Sequence, residues 1–272
     1  MIQNCRELLR RHLPAETFQH VRSGWWHCTF YLPHSVVSVL VRSTPKVQEF
    51  RGVCSPDLSQ QLRSVNVLAP THMCRVMTKY GSDKGQGWHN YTTVYSALLG
   101  KLRNQPLRIF ELGLGTDNPN LASSMRANGC PGASLRGWRE LFPRALVFGA
   151  DIDRDILFEE NRIKTFWCDQ LDGVAIRDLW LQPVLRGGFD LIVDDGLHTF
   201  EANTSFLDGS LEQLRPGGIF VIEDVVLETI GQWCERLGTI SNQLPNYDLA
   251  LVELPNSRNH YDNNLVIIRR CG

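Results

Sequence analysis

Two uninterrupted apolar runs in the second half of the chain, FDLIV and GIFVI, each stop at a pair of acidic residues. The first run ends at Asp194 and Asp195, the second ends at Glu223 and Asp224, and His198 lies three residues after Asp195. Apolar runs of this length without polar alternation predict strands that are buried on both faces of a sheet. Because ligands bind beyond the carboxyl ends of such strands, we expect these acids and the imidazole to lie close together.

The same strand pattern recurs along the chain and alternates with helical segments. LRIFEL, ALVFGADID and IKTFWCDQLD precede the two runs above, and YDLALVEL and NNLVIIRR follow them. Strand–helix alternation over seven strands predicts an α/β fold with a doubly wound, mostly parallel sheet. We therefore assign residues 73–272 to one domain and residues 1–72 to an N-terminal extension or small accessory lobe of unknown structure.

The N-terminal 72 residues differ from the remainder in charge, with a net charge of +4 against −5 for the rest. Several interpretations of this segment stay open. It could be an accessory lobe, a dimerisation arm or a poorly ordered leader. Alternatively, the natural start is Met73 or Met77 and the preceding residues are not selected sequence.

The clustered acids suggest a metal site. Like charges repel, and burying them unpaired costs free energy. A hard divalent cation would relieve this repulsion, and oxygen ligands suit Mg²⁺, Ca²⁺ or Mn²⁺. The alternative is that the acids are solvated or cap the following helices, and that His198 is a helix N-terminal residue facing water.

A glycine turn follows the first predicted strand of the domain. It contains Gly113 and Gly115, and the acid Glu111 lies just before it. Glycine permits positive φ and lets the backbone approach a ligand closely. The turn is not of the dinucleotide-binding form, because GLGTDN lacks the third glycine.

Polar residues also end the next two predicted strands. Asp151 and Asp153 end the second strand, where carboxylate oxygens suit the hydroxyls of a ribose. Asp169 and Gln170 end the third strand and suit an adenine edge. This pattern indicates a nucleoside cofactor on the first three strands and a reaction centre on the fourth and fifth.

The composition excludes several classes of protein. With 28 basic and 29 acidic residues and a pI near 6.7, the chain offers no global attraction for nucleic acid or an anionic membrane. No apolar run approaches the roughly 18 residues of a membrane span, and residues 1–14 lack the apolar core of a signal peptide. The 8 cysteines are scattered without a CxxC pair, which predicts reduced thiols in a cytoplasmic protein.

The motifs together resemble a known family. ELGLG, ADID, CDQ and LRPGGIFVIED, in this order, resemble class I S-adenosylmethionine-dependent methyltransferases, whose fold is Rossmann-like with an antiparallel last strand. KYGSDKG, HNYT, ASLRGW, DDGLH and VIEDV are similar, more narrowly, to sugar O-methyltransferases of macrolide biosynthesis, of the macrocin and mycinamicin type. The related cephalosporin hydroxylase-like group shares this resemblance. It covers about Lys79 to Arg270 and leaves out the N-terminal 72 residues. The loop DNPNLASSMRANGCPG is longer than expected for the macrolide enzymes.

The resemblance implies roles for individual residues. Asp195, Glu223 and Asp224 would bind Mg²⁺, for which Mn²⁺ is an alternative, and His198 would be the general base beside Asp195. The implied contacts to S-adenosylmethionine come from the methionine pocket, the ribose and adenine sites, a strand end and a closing loop: Glu111, Gly113, Gly115, Asp151, Asp153, Asp169, Gln170, Asp194 and Ser82.

The function expected from the resemblance is methyl transfer to a sugar hydroxyl of a glycan or glycosylated secondary metabolite. A bound Mg²⁺ lowers the pKa of such a hydroxyl, and a neutral imidazole takes its proton. Two alternatives remain: a methyltransferase for a phenol or an amine, and a non-catalytic scaffold that binds the cofactor. The expected partner is a glycan or small molecule rather than nucleic acid, and a homo-oligomer stays open.

Overall fold

Strands and helices alternate along the part of the chain that the structure describes. The structure is a computed structural model and describes residues 43–54, 57–85, 87–125 and 129–272. The strands are β1 Lys46–Arg51, β2 Arg108–Leu112, β3 Leu146–Asp151, β4 Glu159–Glu160, β5 Ile163–Trp167, β6 Phe189–Asp194, β7 Leu214–Ile222, β8 Tyr247–Glu253 and β9 Asn264–Arg270. The α-helices are α1 Leu58–Arg63, α2 His72–Tyr80, α3 Tyr91–Leu99, α4 Ala133–Leu141, α5 Gly173–Trp180, α6 Phe200–Ser210 and α7 Ile230–Gln243. Short 3-10 helices span Gly100–Leu102, Arg154–Ile156, Pro183–Leu185, Leu211–Gln213 and Leu227–Thr229.

The strands form one sheet in the order β1-β8-β9-β7-β6-β2-β3-β5-β4. Strands β5, β3, β2, β6 and β7 are parallel neighbours, and β9 is antiparallel to both β7 and β8. This confirms the predicted Rossmann-like methyltransferase fold with an antiparallel last strand. The described residues form nine strands rather than seven, because β1 and the short β4 pair antiparallel to the two outer strands.

Helices cover both faces of the sheet, which explains why its central strands β2, β3 and β6 are largely apolar. On β2, Ile109 packs against the core under α1 to α4, and its neighbour Phe110 packs against the core under α5 to α7. Val193 and Ile192 on β6 divide between the two cores in the same way. Side chains alternate between the faces of a strand, so a strand that is buried on both faces needs apolar residues throughout.

The compact unit extends further towards the N-terminus than the predicted boundary at residue 72. All described residues, from Ser43 onward, belong to this unit. Strand β1 pairs with β8, and Leu58 and Leu62 of α1 are buried in the same core as Met73 of α2. Strand β1 and helix α1 therefore belong to the same compact unit, although the sequence pattern before residue 73 does not show a regular alternation of strands and helices. Residues 1–42 of the predicted extension lie outside the described residues.

The prediction of reduced thiols is wrong for two cysteines. Cys54 and Cys271 form a disulfide although 217 residues separate them. Pairing of β1 with β8, next to β9, brings Cys54, three residues after β1, close to Cys271, which directly follows β9. Sequence spacing does not reveal this proximity. The other cysteines within the described ranges are free thiols.

No α-helix in the described part of the chain has both the length and the apolar character that a membrane span requires.

Candidate active site

The carboxyl ends of the parallel strands bring the predicted acids to one edge of the sheet. Asp194 is paired with Leu112 of β2 on one side and with Ile222 of β7 on the other. Beyond the strand ends, the Asp195 N–H donates to the Leu112 carbonyl, and the Glu223 N–H donates to the Asp194 carbonyl, each over 2.9 Å. These two bonds place the acids that follow β6 and β7 side by side.

The glycine turn after β2 lies directly against this edge. Gly113 has a φ of +90°, and a Cβ built on it would lie 1.9 Å from the carbonyl oxygen of Asp195. Gly115 has a φ of +77°. Only glycine fits at Gly113, because another side chain would be strained by the positive φ and would also meet the backbone at the start of the acidic segment.

Asp151 and Asp153 hold this turn in place. The two oxygens of Asp151 accept from the N–H groups of Leu114, at 2.7 Å, and Asp153, at 2.9 Å. Asp153 in turn accepts from the hydroxyl of Thr116 at 2.5 Å. Burial raises the pKa of Asp151 against these hydrogen bonds. Each carboxylate oxygen has two lone pairs, so both acids can still accept from a ligand.

The side chains of Asp194 and Gln170 are hydrogen-bonded to each other at the carboxyl ends of β6 and β5. The Gln170 amide donates to both oxygens of Asp194, at 2.8 and 2.9 Å, and the Asn203 amide donates to the same carboxylate at 3.0 Å. Burial raises the pKa of Asp194 to about 6 despite these donors. The side-chain oxygen Oε1 of Gln170 accepts from the backbone N–H of Leu197, and the carboxylate of Asp169 accepts from the backbone N–H of Leu171.

Glu111 is fully buried at the end of β2 and faces α4. It accepts hydrogen bonds from the Ser134 hydroxyl and, at 2.5 Å, from the indole N–H of Trp138. Its Oε1 also lies 3.5 Å from the ammonium of Lys84. Glu111 therefore ties β2 to α4 and carries part of the negative charge of the site.

Lys84 fills the centre of the acidic cluster. It is 1% exposed, and its Nζ donates to Asp195 Oδ2 at 2.5 Å and to Glu223 Oε2. Burial alone would lower the pKa of this ammonium, but the carboxylates of Asp195, Glu111 and Glu223 together hold it well above its ordinary value. Lys84 is therefore a buried cation that neutralises part of the site.

Two tyrosines of α3 hold the acids that follow β7. The hydroxyl of Tyr95 donates to Glu223 Oε1, and the hydroxyl of Tyr91 donates to Asp224 Oδ1, both over 2.6 Å. Burial and neighbouring acids raise the pKa of both tyrosines well above 10, so both remain donors. Burial raises the pKa of Glu223 well above its ordinary value, whereas nearby His89, His198 and Tyr91 outweigh burial at Asp224 and lower its pKa.

His198 lies between the two acidic pairs. One ligand atom from each of Asp195, His198 and Asp224 lies within 4.8 Å of the others, and His198 Nε2 is 3.6 Å from Asp224 Oδ2. Its buried Nδ1 has no hydrogen-bond partner among the described residues. Burial lowers the pKa of the imidazole, but Asp224, Asp195 and Asp194 raise it above 6.5. His198 and Asp224 both have positive φ, a conformation that costs free energy in non-glycine residues and is typical of functional sites.

Residues of the loop between α2 and α3 lie against the acidic cluster. The hydroxyl of Ser82 accepts a hydrogen bond from the backbone N–H of Lys84 at 3.4 Å. Buried His89 lies with Nε2 3.5 Å from Asp224 Oδ1 and 3.9 Å from Asp83. His89 therefore borders the acidic cluster as well.

The structure brings together Asp195, Glu223, Asp224 and His198, and it places Glu111 beside them through Lys84. Gly113, Asp151 and Asp153 line the neighbouring turn, while Asp194 and Gln170 form their own buried pair. Sequence reasoning missed several side chains that hold these groups: Lys84, Tyr91, Tyr95 and Trp138. One signal was available, because two tyrosines four residues apart on a helix present their hydroxyls from the same face.

Comparison with curated proteins reveals several relatives. The chain is 32% identical over 225 residues to the demethylmacrocin O-methyltransferase of Streptomyces fradiae, which covers 81% of this chain and 48% of the relative. It is 32% identical over 171 residues to the 8-demethyl-8-(2-methoxy-alpha-L-rhamnosyl)-tetracenomycin-C 3'-O-methyltransferase of Streptomyces olivaceus, covering 60% of this chain and 41% of the relative. Its homologues are sugar O-methyltransferases. The chain spans less than half the length of these sugar O-methyltransferases. No family model matches the chain.

Solved structures agree with this relationship at the level of the fold. MycE, a methyltransferase of the mycinamycin biosynthetic pathway solved with Mg and SAH, superposes with a TM-score of 0.56 and 24% identity, over 79% of this chain and 60% of MycE. Its complex with Mg, SAH and mycinamycin VI gives a TM-score of 0.54, also at 24% identity, over 80% of this chain and 59% of that chain. This chain and MycE therefore share a fold.

Proposed function

We propose that the protein is an S-adenosylmethionine-dependent, Mg²⁺-assisted O-methyltransferase that acts on a sugar hydroxyl of a glycan or glycosylated metabolite. The observation that carries the proposal is the convergence of Asp195, Asp224 and His198 within 4.8 Å, next to the glycine turn after β2. Two further facts support the proposal. The sequence is similar to O-methyltransferases of glycosylated compounds, and the structure of MycE contains Mg and SAH.

We place the cofactor along the carboxyl edge of β2, β3 and β5. The turn borders this edge, where Gly113 and Gly115 adopt the positive φ that a tight backbone turn beside a ligand requires. Asp151 and Asp153 would accept the ribose hydroxyls with their remaining lone pairs, and the adenine would lie near Asp169 and Gln170. In the same proposal, Glu111 shapes the methionine pocket, Asp194 faces the cofactor and Ser82 lies in the closing loop.

The residues present also fit a divalent cation. Asp195 and Asp224 supply carboxylate oxygens, which are hard ligands that suit Mg²⁺ or Mn²⁺. The low pKa of Asp224 keeps it ionised at neutral pH. Glu223, the third predicted ligand, has both oxygens engaged by Tyr95 and Lys84, so it would join a metal only after Lys84 withdraws.

The chain's own contribution to the reaction is to position the acceptor and to take its proton. When bound, S-adenosylmethionine supplies the methyl group and Mg²⁺ lowers the pKa of the hydroxyl and orients it. The acceptor oxygen would receive the methyl group, and the sulfur of the bound cofactor would keep the electron pair of the broken carbon–sulfur bond. His198 takes the hydroxyl proton on Nδ1, because Nε2 faces Asp224 and that carboxylate favours the Nε2–H tautomer.

Site variants assayed on a glycosylated acceptor test this proposal. We expect His198→Ala and Asp195→Ala to lose methylation, and excess chelator to abolish it in the unaltered protein. The exposed His260 gives a matched control, and His260→Ala should retain activity. Near-normal turnover in both site variants, or full activity in chelator, would contradict the mechanism.

Calorimetric titration of S-adenosylmethionine with and without Mg²⁺ separates the cofactor from the metal. Binding of both, with the metal signal weakened in Asp195→Ala, supports the whole proposal. Cofactor binding without any metal effect leaves a methyltransferase for a different acceptor, such as a phenol or an amine. If the protein does not bind S-adenosylmethionine, its similarity to the sugar O-methyltransferases extends to the fold and not to the activity.

The remaining expectations belong to the same proposal. We propose a glycan or small-molecule acceptor and no nucleic acid partner. Light scattering would decide whether the protein is a homo-oligomer, which the sequence leaves open. The proposed location is the cytoplasm. The Cys54–Cys271 disulfide opposes this location, because cytoplasmic thiols are usually kept reduced. Thiol alkylation in intact cells followed by mass spectrometry would decide the point.

A further inference from the structure

A lysine ammonium lies in the acidic cluster beside the candidate metal ligands. Lys84 Nζ contacts Asp195 Oδ2 and Glu223 Oε2 and lies 3.5 Å from Glu111 Oε1. An ammonium has three donors and no acceptor, and here it donates to Asp195 and Glu223 while Glu111 lies at ion-pair distance. Two of these three acids, Asp195 and Glu223, are also predicted metal ligands.

The backbone around Lys84 holds it in this position. The Lys84 carbonyl accepts from the N–H of Thr92 at the start of α3, at 3.1 Å. At the next residue, Gly85, an added Cβ would lie 2.7 Å from Thr78 Oγ1 and 3.1 Å from the Cys74 carbonyl of α2. The loop therefore packs closely between two helices, and Lys84 enters the cluster as a fixed part of the fold.

Charge balance makes the ammonium and a divalent cation alternatives to each other. With Lys84 in place, one oxygen of Asp195 and one of Glu223 are already bonded to a positive charge, and Tyr95 holds the other oxygen of Glu223. A cation on Asp195 and Asp224 would also be repelled by the nearby ammonium. Without Lys84, Glu111, Asp195 and Glu223 would be a cluster of acids with no cation.

We propose that Lys84 is a built-in cation that competes with the divalent metal for Asp195 and Glu223, and so sets the metal affinity of the site. The inference rests on the metal site of the proposed function but not on methyl transfer. Lys84 is in this sense a positioning residue: it determines which carboxylates are available to the metal.

Calorimetric titration with MgCl₂ and with MnCl₂, without cofactor or acceptor, tests the competition. Lys84→Ala removes the ammonium and leaves room for an ion, and we expect it to bind Mg²⁺ at least about tenfold more tightly than the unaltered protein. Lys79→Ala is the matched control, because Lys79 pairs with Glu140 at the surface at 2.5 Å. Its metal affinity should stay within about threefold of the unaltered protein.

Glu223→Gln in both backgrounds sharpens the test. With Lys84 present, Glu223 is held by the ammonium, so we expect Glu223→Gln to change Mg²⁺ affinity by less than about threefold. In the Lys84→Ala background, the same change should remove most of the gain. Equal or weaker metal binding in Lys84→Ala, or an equal effect of Glu223→Gln in both backgrounds, would overturn the proposal.

The unpaired acids could prevent Lys84→Ala from folding in metal-free buffer. In that case we expect excess MgCl₂ to restore the folded circular dichroism spectrum, since the metal takes the place of the ammonium. A variant that stays unfolded in excess MgCl₂ and MnCl₂ would also overturn the proposal. Binding of S-adenosylmethionine to the unaltered protein, measured separately, reports on the proposed function independently of this outcome.

Discussion

Gly113→Ala should damage both the stability of the fold and the acidic edge of the site. The alanine would have to adopt the φ of +90° seen at Gly113, which costs about 1–2 kcal/mol in an L-residue. Its Cβ would also lie 1.9 Å from the Asp195 carbonyl oxygen and 2.5 Å from the Asp195 carbonyl carbon. Ordinary contacts are well over 3 Å, so the backbone must move, and overpacking of this kind costs about 1–3 kcal/mol. We therefore expect a total loss of roughly 2–5 kcal/mol in the free energy of unfolding.

Gly187→Ala separates the two contributions. Gly187 has a φ of +98°, but a Cβ there would meet nothing within 4 Å. This variant should lose only the conformational part, about 1–2 kcal/mol. Urea unfolding followed by circular dichroism measures both losses, and calorimetry measures the binding of S-adenosylmethionine and Mg²⁺. Only Gly113→Ala should weaken ligand binding, because only there does the clash displace Asp195. If the two variants agree within about 0.5 kcal/mol, the steric reasoning is refuted.

Two further predictions concern charge and covalent structure. Asp224→Asn should lower the pKa of His198, because Asp224 is the leading neighbour that raises it against burial. In metal-free protein, the imidazole NMR signals of His198 should then titrate at lower pH. The control Asp208→Asn, at an exposed acid, should leave this titration unchanged. An unaltered His198 titration in Asp224→Asn would contradict the assignment. Cys54→Ser should lower the free energy of unfolding by about 2–5 kcal/mol, measured in urea. A reducing agent should destabilise the unaltered protein by a similar amount and Cys54→Ser hardly at all; equal effects on both would argue against the disulfide.

The sequence predicted the parts of the molecule that depend on local pattern and strand polarity. FDLIV and GIFVI form β6 and β7, and parallel pairing brings Asp195, Glu223 and Asp224 to one edge, as the position of acids at strand ends implied. Apolar periodicity predicts which segments become strands, and parallel sheets place all their carboxyl ends together. The approximate location of the site therefore followed from the sequence.

The interactions missing from the prediction are long-range contacts of loops and edges. Lys84 reaches Asp195 across 111 residues, and β1 pairs with β8 across nearly the whole domain. Such contacts depend on where a loop packs in three dimensions, and residue type or periodicity does not encode that. The pairing of Asp194 with Gln170 was missed for a related reason. Both lie beyond the carboxyl ends of parallel strands, and only the three-dimensional structure shows that their side chains bond to each other.

Strand β1 also shields the sheet from other protein molecules. Without it, β8 would be an outer strand with a row of unpaired N–H and carbonyl groups, which is a template for aggregation. Strand β1 covers that row and carries the charged side chains of Lys46, Glu49 and Arg51, which discourage a further strand from adding. The Cys54–Cys271 disulfide fastens the end of this cover to the chain beyond β9. Under reducing conditions β1 would detach from β8 more readily. The protein would then aggregate through the exposed edge of β8 before the rest of the fold was lost.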